Sequence, residues 1–310
     1  MSKLQVQKIN TLSGHRDCIY ALATGPQSSV FYSADGNGLV AVWDLRHPEI
    51  GELLARVPNS VYALCYLPAE QALLVGQNFE GLQWIDVRQK RVLRSVKITD
   101  AAIFDMQVWG QEIFVAAGDG VVIVLERESL AVKRHLKTSD KSARCLAISP
   151  DGQDLAVGYS DHHIRVFDRA GKQLKYSFLA HQNSVFTLAY HPEQPLLLSG
   201  SRDAHLKSWH TDQGYAAHQS IVAHLYALNH IVFHPEGRYF ATGSMDKSVK
   251  IWDSQSLQLL KVIDKARHAG HGTSVNKLLW TAHQDQLLSA SDDRLISIWE
   301  INFEAEAMRS

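Results

Sequence analysis

A short segment that recurs seven times along the 310 residues constrains this chain more than any other feature. Each copy is an alternating run that ends on an aromatic or apolar residue followed by an acid or a histidine. The copies are NGLVAVWD (37–44), EGLQWID (80–86), GVVIVLE (120–126), HHIRVFD (162–168), AHLKSWH (204–210), KSVKIWD (247–253) and RLISIWE (294–300). Their next-to-last residues are 42, 40, 42, 42, 43 and 47 residues apart. Such a period is the signature of an architecture built from one repeated supersecondary unit.

Four of the units also carry a histidine 28 residues before their tryptophan. These marker histidines are His15, His181, His224 and His271, and the tryptophans are Trp43, Trp209, Trp252 and Trp299. Between marker and tryptophan lie two alternating apolar runs separated by a turn, as in SVFTLAY (184–190), HPEQP and LLLSG (196–200). Alternation with a period of two predicts β-strands, and no stretch of the chain shows a sustained helical period.

With these features the sequence resembles the WD40 repeat family. A repeat of that family has a GH or AH marker, two strands joined by a turn, an Asp-containing turn and a strand ending in WD. The resemblance covers about residues 4–302, is strongest in units five to seven and is weakest in units two and three. It implies an all-β, seven-bladed β-propeller of four-stranded antiparallel blades around a central channel. We expect one propeller domain over residues 1–303 and a polar C-terminal tail at 304–310.

The two ends of the chain predict how the ring closes. The run LQVQKINTL (4–12) has the pattern of a strand but no blade of its own, whereas the residues after Trp299 are too polar and too few for a good outer strand. We therefore expect the N-terminal strand to complete blade seven, which makes residues 4–12 important for stability.

Histidine, serine and aspartate lie close together in HPEGRYFATGSMDKSVKIWDS (234–254), as they would in a nucleophilic triad. A triad would occur once, with its serine on a strained turn of the GxSxG type, but the His/Asp pair here recurs around the ring. The WD40 resemblance instead implies a structural hydrogen-bonded tetrad, which in blade six would be His224, Asp246, Ser248 and Trp252. Because other blades lack a serine at the third position, and blades one and two have Asn37 and Phe79 in place of the aspartate, we expect partial networks elsewhere.

Composition excludes several classes of function. The net charge is −1 and the pI is about 7.0, which gives no electrostatic reason to bind nucleic acid or an anionic membrane. The three cysteines form no CxxC pair, and no signal peptide or membrane span is visible, so we expect a reducing, cytoplasmic location. The histidine pairs at 162–163 and 268/271 lack further ligands at zinc spacing, so we expect no metal and no cofactor.

Aromatic and arginine side chains point to a binding face. Counting five residues past each marker position gives the start of each innermost strand: Tyr20, Tyr62, Phe104, Arg144, Phe186, Asn229 and Asn276. The residues before the turn aspartates add Arg202, Met245 and Asp292. Aromatic residues and arginine dominate protein-binding hot spots, and WD40 proteins that bind peptides use these positions, so the resemblance implies a docking face. The alternative is that these aromatics pack on each other and plug the channel mouth.

The sequence thus favours a non-enzymatic scaffold that captures a protein or peptide partner over the channel mouth. One alternative is a propeller enzyme of the hydrolase or lactonase kind, which needs converging carboxylates or a metal, and the inner positions supply only Asp292. Another is a structural subunit that docks through its blade edges. The long step between blades six and seven predicts a loop that extends the binding face. The oligomeric state is not predicted.

Overall fold

The computed structural model describes residues 4–303, so the predicted tail at 304–310 lies outside the described residues. The described chain forms seven four-stranded antiparallel sheets. Blade one contains β2 (Ile19–Thr24), β3 (Val30–Asp35), β4 (Leu39–Asp44) and β5 (Glu52–Arg56); blade two contains β6 (Val61–Leu67), β7 (Ala72–Gln77), β8 (Gly81–Asp86) and β9 (Arg91–Val96). Blade three contains β10 (Ile103–Trp109), β11 (Glu112–Ala117), β12 (Val121–Glu126) and β13 (Val132–Lys137).

The remaining blades follow the same order of strands. Blade four contains β14 (Ala143–Ile148), β15 (Asp154–Tyr159), β16 (His163–Asp168) and β17 (Leu174–Leu179); blade five contains β18 (Val185–Tyr190), β19 (Leu196–Ser201), β20 (His205–His210) and β21 (Ala216–Val222), with a 3₁₀ turn at Thr211–Gln213. Blade six contains β22 (Leu228–Phe233), β23 (Tyr239–Ser244), β24 (Val249–Asp253) and β25 (Leu259–Ile263). After the short helix α1 (Lys265–His268), blade seven contains β26 (Val275–Trp280), β27 (Leu287–Ser291) and β28 (Ile296–Phe303). These seven sheets confirm the predicted seven-bladed propeller. No helix within residues 4–303 is long and apolar enough to span a bilayer.

The core lies between the faces of neighbouring blades. One cluster joins Tyr32 and Val40 of blade one to Leu73 and Ile85 of blade two, all of them buried. The second strand of a blade is covered on both faces, and every residue of β7 is buried. Outer strands such as β9 are mostly exposed. Blades therefore bury apolar residues against their neighbours, and closure of the ring gives every blade a neighbour on both faces.

The N-terminal strand β1 (Leu4–Leu12) closes the ring, as predicted. It pairs antiparallel with β28, from Leu4 opposite Phe303 to Leu12 opposite Ile296. Blade seven therefore has the order β1, β28, β27, β26, with its outer strand taken from the start of the chain. Leu12 is 2% exposed and packs in a cluster that includes Trp43 of blade one. The pairing protects an edge of β28 that would otherwise be open to other strands.

Candidate functional site

Each innermost strand carries a β-bulge at its second residue. In β10, Ile103 pairs with Ala117 and Asp105 with Ala116, so Phe104 is the extra residue. The same register shift occurs in the other six innermost strands and leaves one residue unpaired in each: Tyr20, Tyr62, Arg144, Phe186, Asn229 and Asn276. A bulge bends its strand and redirects the side chain of the extra residue. The seven residues predicted at the starts of the inner strands are these bulge residues.

The bulges surround a central cavity of about 570 Å³. Its lining includes all ten residues predicted for the docking face: Tyr20, Tyr62, Phe104, Arg144, Phe186, Arg202, Asn229, Met245, Asn276 and Asp292. The sequence interpretation missed a deeper layer of lining residues, among them Asp105, Cys145, His230 and Lys277. Each of these directly follows a bulge residue, so the same count from the marker, extended by one, would have found it.

An arc of stacked side chains forms one part of the cavity wall. The rings of Tyr20 and Tyr62 meet edge to face with centroids 4.7 Å apart, and those of Tyr62 and Phe104 are 5.8 Å apart. The Arg144 guanidinium lies 3.8 Å from the ring centroid of Phe104 and 5.0 Å from that of Phe186. These side chains do pack on one another, but they line the channel mouth without filling it.

Blades six and seven form a second, polar part of the wall. The Asn229 amide donates to Ser274 Oγ at 3.0 Å, and Ser274 donates to Asn276 Oδ1 at 3.0 Å. Asn276 in turn donates to Asp292 Oδ1 at 2.7 Å. The polar groups of this part of the wall therefore already have partners within the protein.

The deeper layer connects neighbouring blades. Asp105 Oδ2 accepts a hydrogen bond from the Leu146 amide at 2.8 Å, and His230 Nδ1 accepts one from the Leu278 amide at 3.3 Å. Burial raises the pKa of Asp105, and the charge of Lys277 partly opposes this shift. Burial, followed by Lys277, lowers the pKa of His230 well below its usual value. Both side chains thus act as hydrogen-bond acceptors between blades.

The catalytic alternative would need a reactive nucleophile or a metal site. Burial, followed by the charge of Asp105, raises the pKa of the Cys145 thiol, so this thiol stays protonated and is a poor nucleophile. No group of three or more His, Cys, Asp or Glu side chains within residues 4–303 is placed to hold a metal ion. His271 already bonds Asp293 and Ser289.

The structural tetrad of blade six contains Thr242, so the assignment of Ser248 as its third member is wrong. His224 Nδ1 lies 2.9 Å from Asp246 Oδ2, while His224 Nε2 lies 2.8 Å from Thr242 Oγ1. Trp252 Nε1 donates to the same Thr242 hydroxyl at 2.9 Å. Ser248 instead donates to Asp246 Oδ1 at 2.6 Å and lies 3.3 Å from His224 Nδ1, whereas the Trp252 indole donates to Thr242. His224, Asp246 and Trp252 take the places that were predicted for them.

Three further blades hold complete tetrads, so the prediction of partial networks in those blades is also wrong. They are His15, Asp35, Ser33 and Trp43; His181, Asp203, Ser199 and Trp209; and His271, Asp293, Ser289 and Trp299. In blade one, Asp35 takes the role of the aspartate that is absent at Asn37. The four hydroxyl residues are 0% exposed, so no substrate can reach them and the triad-like geometry is structural. A Ser or Thr ten residues before each tryptophan was the signal in the sequence.

The loop between blades six and seven, which was predicted to extend the binding face, does not line the cavity. Its helix α1 begins after Asp264, whose side chain accepts a hydrogen bond from the Arg267 amide. Lys8 of β1 donates to the carbonyl of Ala269 at 2.8 Å. Residues 264–273 do not line the cavity. The extra length therefore packs against the closing strand.

Comparison with known proteins identifies the same repeat. The model of the family described as WD domain, G-beta repeat matches residues 6–44, 130–168, 172–210, 216–253 and 263–300. These segments correspond to blades one and four to seven, which agrees with the prediction that units two and three are degenerate.

Three curated relatives have modest identity to this chain. Protein groucho of Drosophila melanogaster is 26% identical over 217 residues, which is 67% of this chain and 29% of groucho. Transducin-like enhancer protein 2 of Mus musculus is 25% identical over 214 residues, which is 66% of this chain and 27% of that protein. THO complex subunit 3 of Arabidopsis thaliana is 25% identical over 210 residues, which is 67% of this chain and 66% of that protein. The aligned part of the chain spans less than a third of the first two relatives and just under two thirds of the last.

Proposed function

The chain belongs to the WD40 repeat family, and from this premise we propose that it is a non-enzymatic scaffold that captures an extended peptide or loop of a partner protein over its channel mouth. The proposal rests on one observation: the ten residues that the sequence predicts for the docking face all line a single cavity. Aromatic rings and a stacked arginine offer a large contact area together with directional polar groups. One of the relatives is by name a subunit of a complex, which supports a role in protein assembly.

The scaffold would bind with little change of shape. The binding side chains sit on bulges of the innermost strands, and the stacking in the arc restricts their rotamers. A preorganised surface of this kind loses little conformational entropy on binding. We also propose a reducing, cytoplasmic location, which the three unpaired cysteines support.

Substitution on the face and at a blade edge tests the proposal. A partner is first identified by affinity purification and mass spectrometry, and its affinity is then measured by calorimetry. Phe186→Ala and Arg144→Ala should each raise the Kd about tenfold or more, since hot-spot truncations cost roughly 2 kcal/mol or more. Tyr176→Ala is the matched control, because Tyr176 is an aromatic residue 38% exposed on the outer strand of blade four. It should leave the Kd unchanged.

The alternatives give different outcomes. Unchanged affinity in both face variants rules out the channel mouth. A large loss in Tyr176→Ala alone favours a structural subunit that docks through its blade edges.

A further inference from the structure

Arg144 is a cation in the cavity wall without an acceptor. Its guanidinium is held between the rings of Phe104 and Phe186 at 3.8 and 5.0 Å from their centroids. None of its N–H groups donates to another group within residues 4–303, and it forms no ion pair there, so its contacts are those with the two rings. Burial lowers the pKa of Arg144, and the nearby charge of Arg202 acts in the same direction. A half-buried guanidinium that is held in place and has free N–H groups can bind a carboxylate or phosphate through two parallel hydrogen bonds.

The acids that line the cavity are already engaged. The carboxylate of Asp105 accepts the amides of Met106 and Leu146 at 2.9 and 2.8 Å. Asp292 accepts the Asn276 amide. Among the described residues, no acid forms an ion pair with Arg202 or Lys277, which also line the cavity. The lining therefore holds three cationic side chains, Arg144, Arg202 and Lys277, against the two acids, which leaves an excess of positive charge for a ligand.

An exposed apolar patch in blade six reaches the same cavity through Met245. We call it the blade-six rim: Leu225, Tyr226 and Met245, which are 84%, 61% and 56% exposed. The equivalent residues after the other marker histidines are small or polar: Arg16 and Asp17, Gln182 and Asn183, and Gly272 and Thr273. Exposed apolar side chains grouped in this way mark interaction sites.

The rim is rigid and continuous with the cavity. The Leu225 amide donates to Asp246 Oδ2 at 3.0 Å, and Ser244 Oγ donates to the Tyr226 carbonyl at 3.3 Å. Met245 lines the cavity and takes the same position before its turn aspartate as Arg202 takes in the adjacent blade. Arg202 of blade five and Met245 of blade six thus line the same cavity in adjacent blades and connect the cation site to the rim.

We propose that the channel mouth selects an acidic peptide, in which the carboxylate of an aspartate or glutamate pairs with Arg144 and Arg202. A large apolar residue next to that acid packs on the blade-six rim. This inference rests on the proposed function, because it names the chemistry of the partner at the same site. Charge complementarity specifies the acid of the motif, and the apolar rim specifies the large apolar residue beside it.

Selection from a random linear-peptide phage library on the purified full-length chain tests the motif. The enriched sequences should share an Asp or Glu beside Leu, Ile, Phe or Met. The consensus peptide is then synthesised, and its Kd is measured by calorimetry. Replacing its acid by the matching amide should raise the Kd about tenfold or more, because hydrogen bonds to charged groups contribute roughly 1.5–3 kcal/mol. Tyr226→Ala should weaken binding of the consensus peptide in the same assay.

Two arginine variants and one control test whether the acid of the peptide binds at Arg144 and Arg202. Arg144→Gln should reproduce the loss seen with the amide peptide, and combining the two changes should add little further loss, which is the mark of a direct pair. Arg202→Gln is a second variant, at an exposed position that is not expected to affect folding. Arg238→Gln is the matched control, because Arg238 also lies over a ring, 5.3 Å from that of Tyr239, but does not line the cavity. It should leave the Kd unchanged.

The outcomes separate this inference from the proposed function. Peptides that lose affinity in Phe186→Ala but bind equally well with or without the acid overturn the inference and leave the scaffold function standing. A phosphoserine version that binds more than tenfold tighter than the glutamate peptide also overturns it, in favour of phosphate recognition. If no peptide is enriched, or if Phe186→Ala leaves the Kd of the enriched peptide unchanged, both proposals are wrong.

Discussion

At the scale of single residues, the tetrads work because only one arrangement of protons satisfies them. The Trp252 indole can only donate, so the Thr242 hydroxyl accepts from it. The Asp246 carboxylate can only accept, so the proton of a neutral His224 lies on Nδ1 and leaves Nε2 to accept from the Thr242 hydroxyl. His224 then donates to Asp246. Burial lowers the pKa of His224, which favours the neutral ring, although the hydrogen bond to Asp246 acts in the opposite direction. Burial acts to raise the pKa of Asp246, but the hydrogen bonds from His224 and Ser248 outweigh it and lower the pKa.

Removing the hydroxyl of Thr242 or that of Ser248, one at a time, tests this assignment. Thr242→Val keeps the shape but leaves His224 and Trp252 without their partner, and each unsatisfied buried group costs about 1–3 kcal/mol. Ser248→Ala removes one donor from an aspartate that keeps its bonds to His224 and to the Leu225 amide, so it should cost about 1 kcal/mol or less. Free energies of unfolding from urea titration check the difference. An equal or larger cost for Ser248→Ala would contradict the tetrad as described.

At the scale of strands, the sequence predicted positions better than pairings. Alternation and spacing located the strands and the closing role of residues 4–12, because both depend on local pattern. Ser248 was misassigned because the tetrad depends on register, which a single strand does not show. Trp252 pairs with Phe240, which places Thr242 diagonally across on the same face. The bulges were invisible for the same reason, although counting from the marker still found the residues on them.

The closing strand offers a matched pair of substitutions. Leu12 is 2% exposed between blades seven and one, whereas Ile9 is 41% exposed at the bulge of the same strand. Leu12→Ala should lower the free energy of unfolding by about 2–5 kcal/mol, because it leaves a cavity in the core. Ile9→Ala should lower it by about 1 kcal/mol or less. Similar costs at the two positions, measured by chemical denaturation, would show that β1 does not seal the ring through its buried face.

At the scale of the whole molecule, the ring has two unlike halves. Blades five, six, seven and one are consecutive around the ring and carry the tetrads. In blades two to four the buried hydroxyl and tryptophan positions are apolar, whereas Asp119 and Asp161 keep the turn aspartate of blades three and four. The hydroxyl positions are Val75, Val115 and Val157, and the tryptophan positions are Ile85, Leu125 and Phe167. These six side chains are at most 2% exposed, and replacing both partners of a buried hydrogen bond by apolar groups can be nearly neutral in stability. The halves therefore differ less in their cores than in how firmly their marker loops are held.

Hydrogen exchange should reveal this division of the ring. In tetrad blades the amide after the marker histidine donates to the turn aspartate, at 2.8 Å for Gln182 and 3.0 Å for Leu225. At the equivalent positions, the amides of Ile98 and Asp140 donate to no group within residues 4–303. Site-resolved exchange should therefore give protection factors about tenfold or more higher at Gln182 and Leu225, because these amides exchange only when the loop opens. Asp246→Ala should remove the protection at Leu225 while Gln182, in the neighbouring blade, keeps its own. Equal protection at all four amides, or an unchanged Leu225 in the variant, would mean that the carboxylates do not hold the marker loops and that the two halves of the ring open alike.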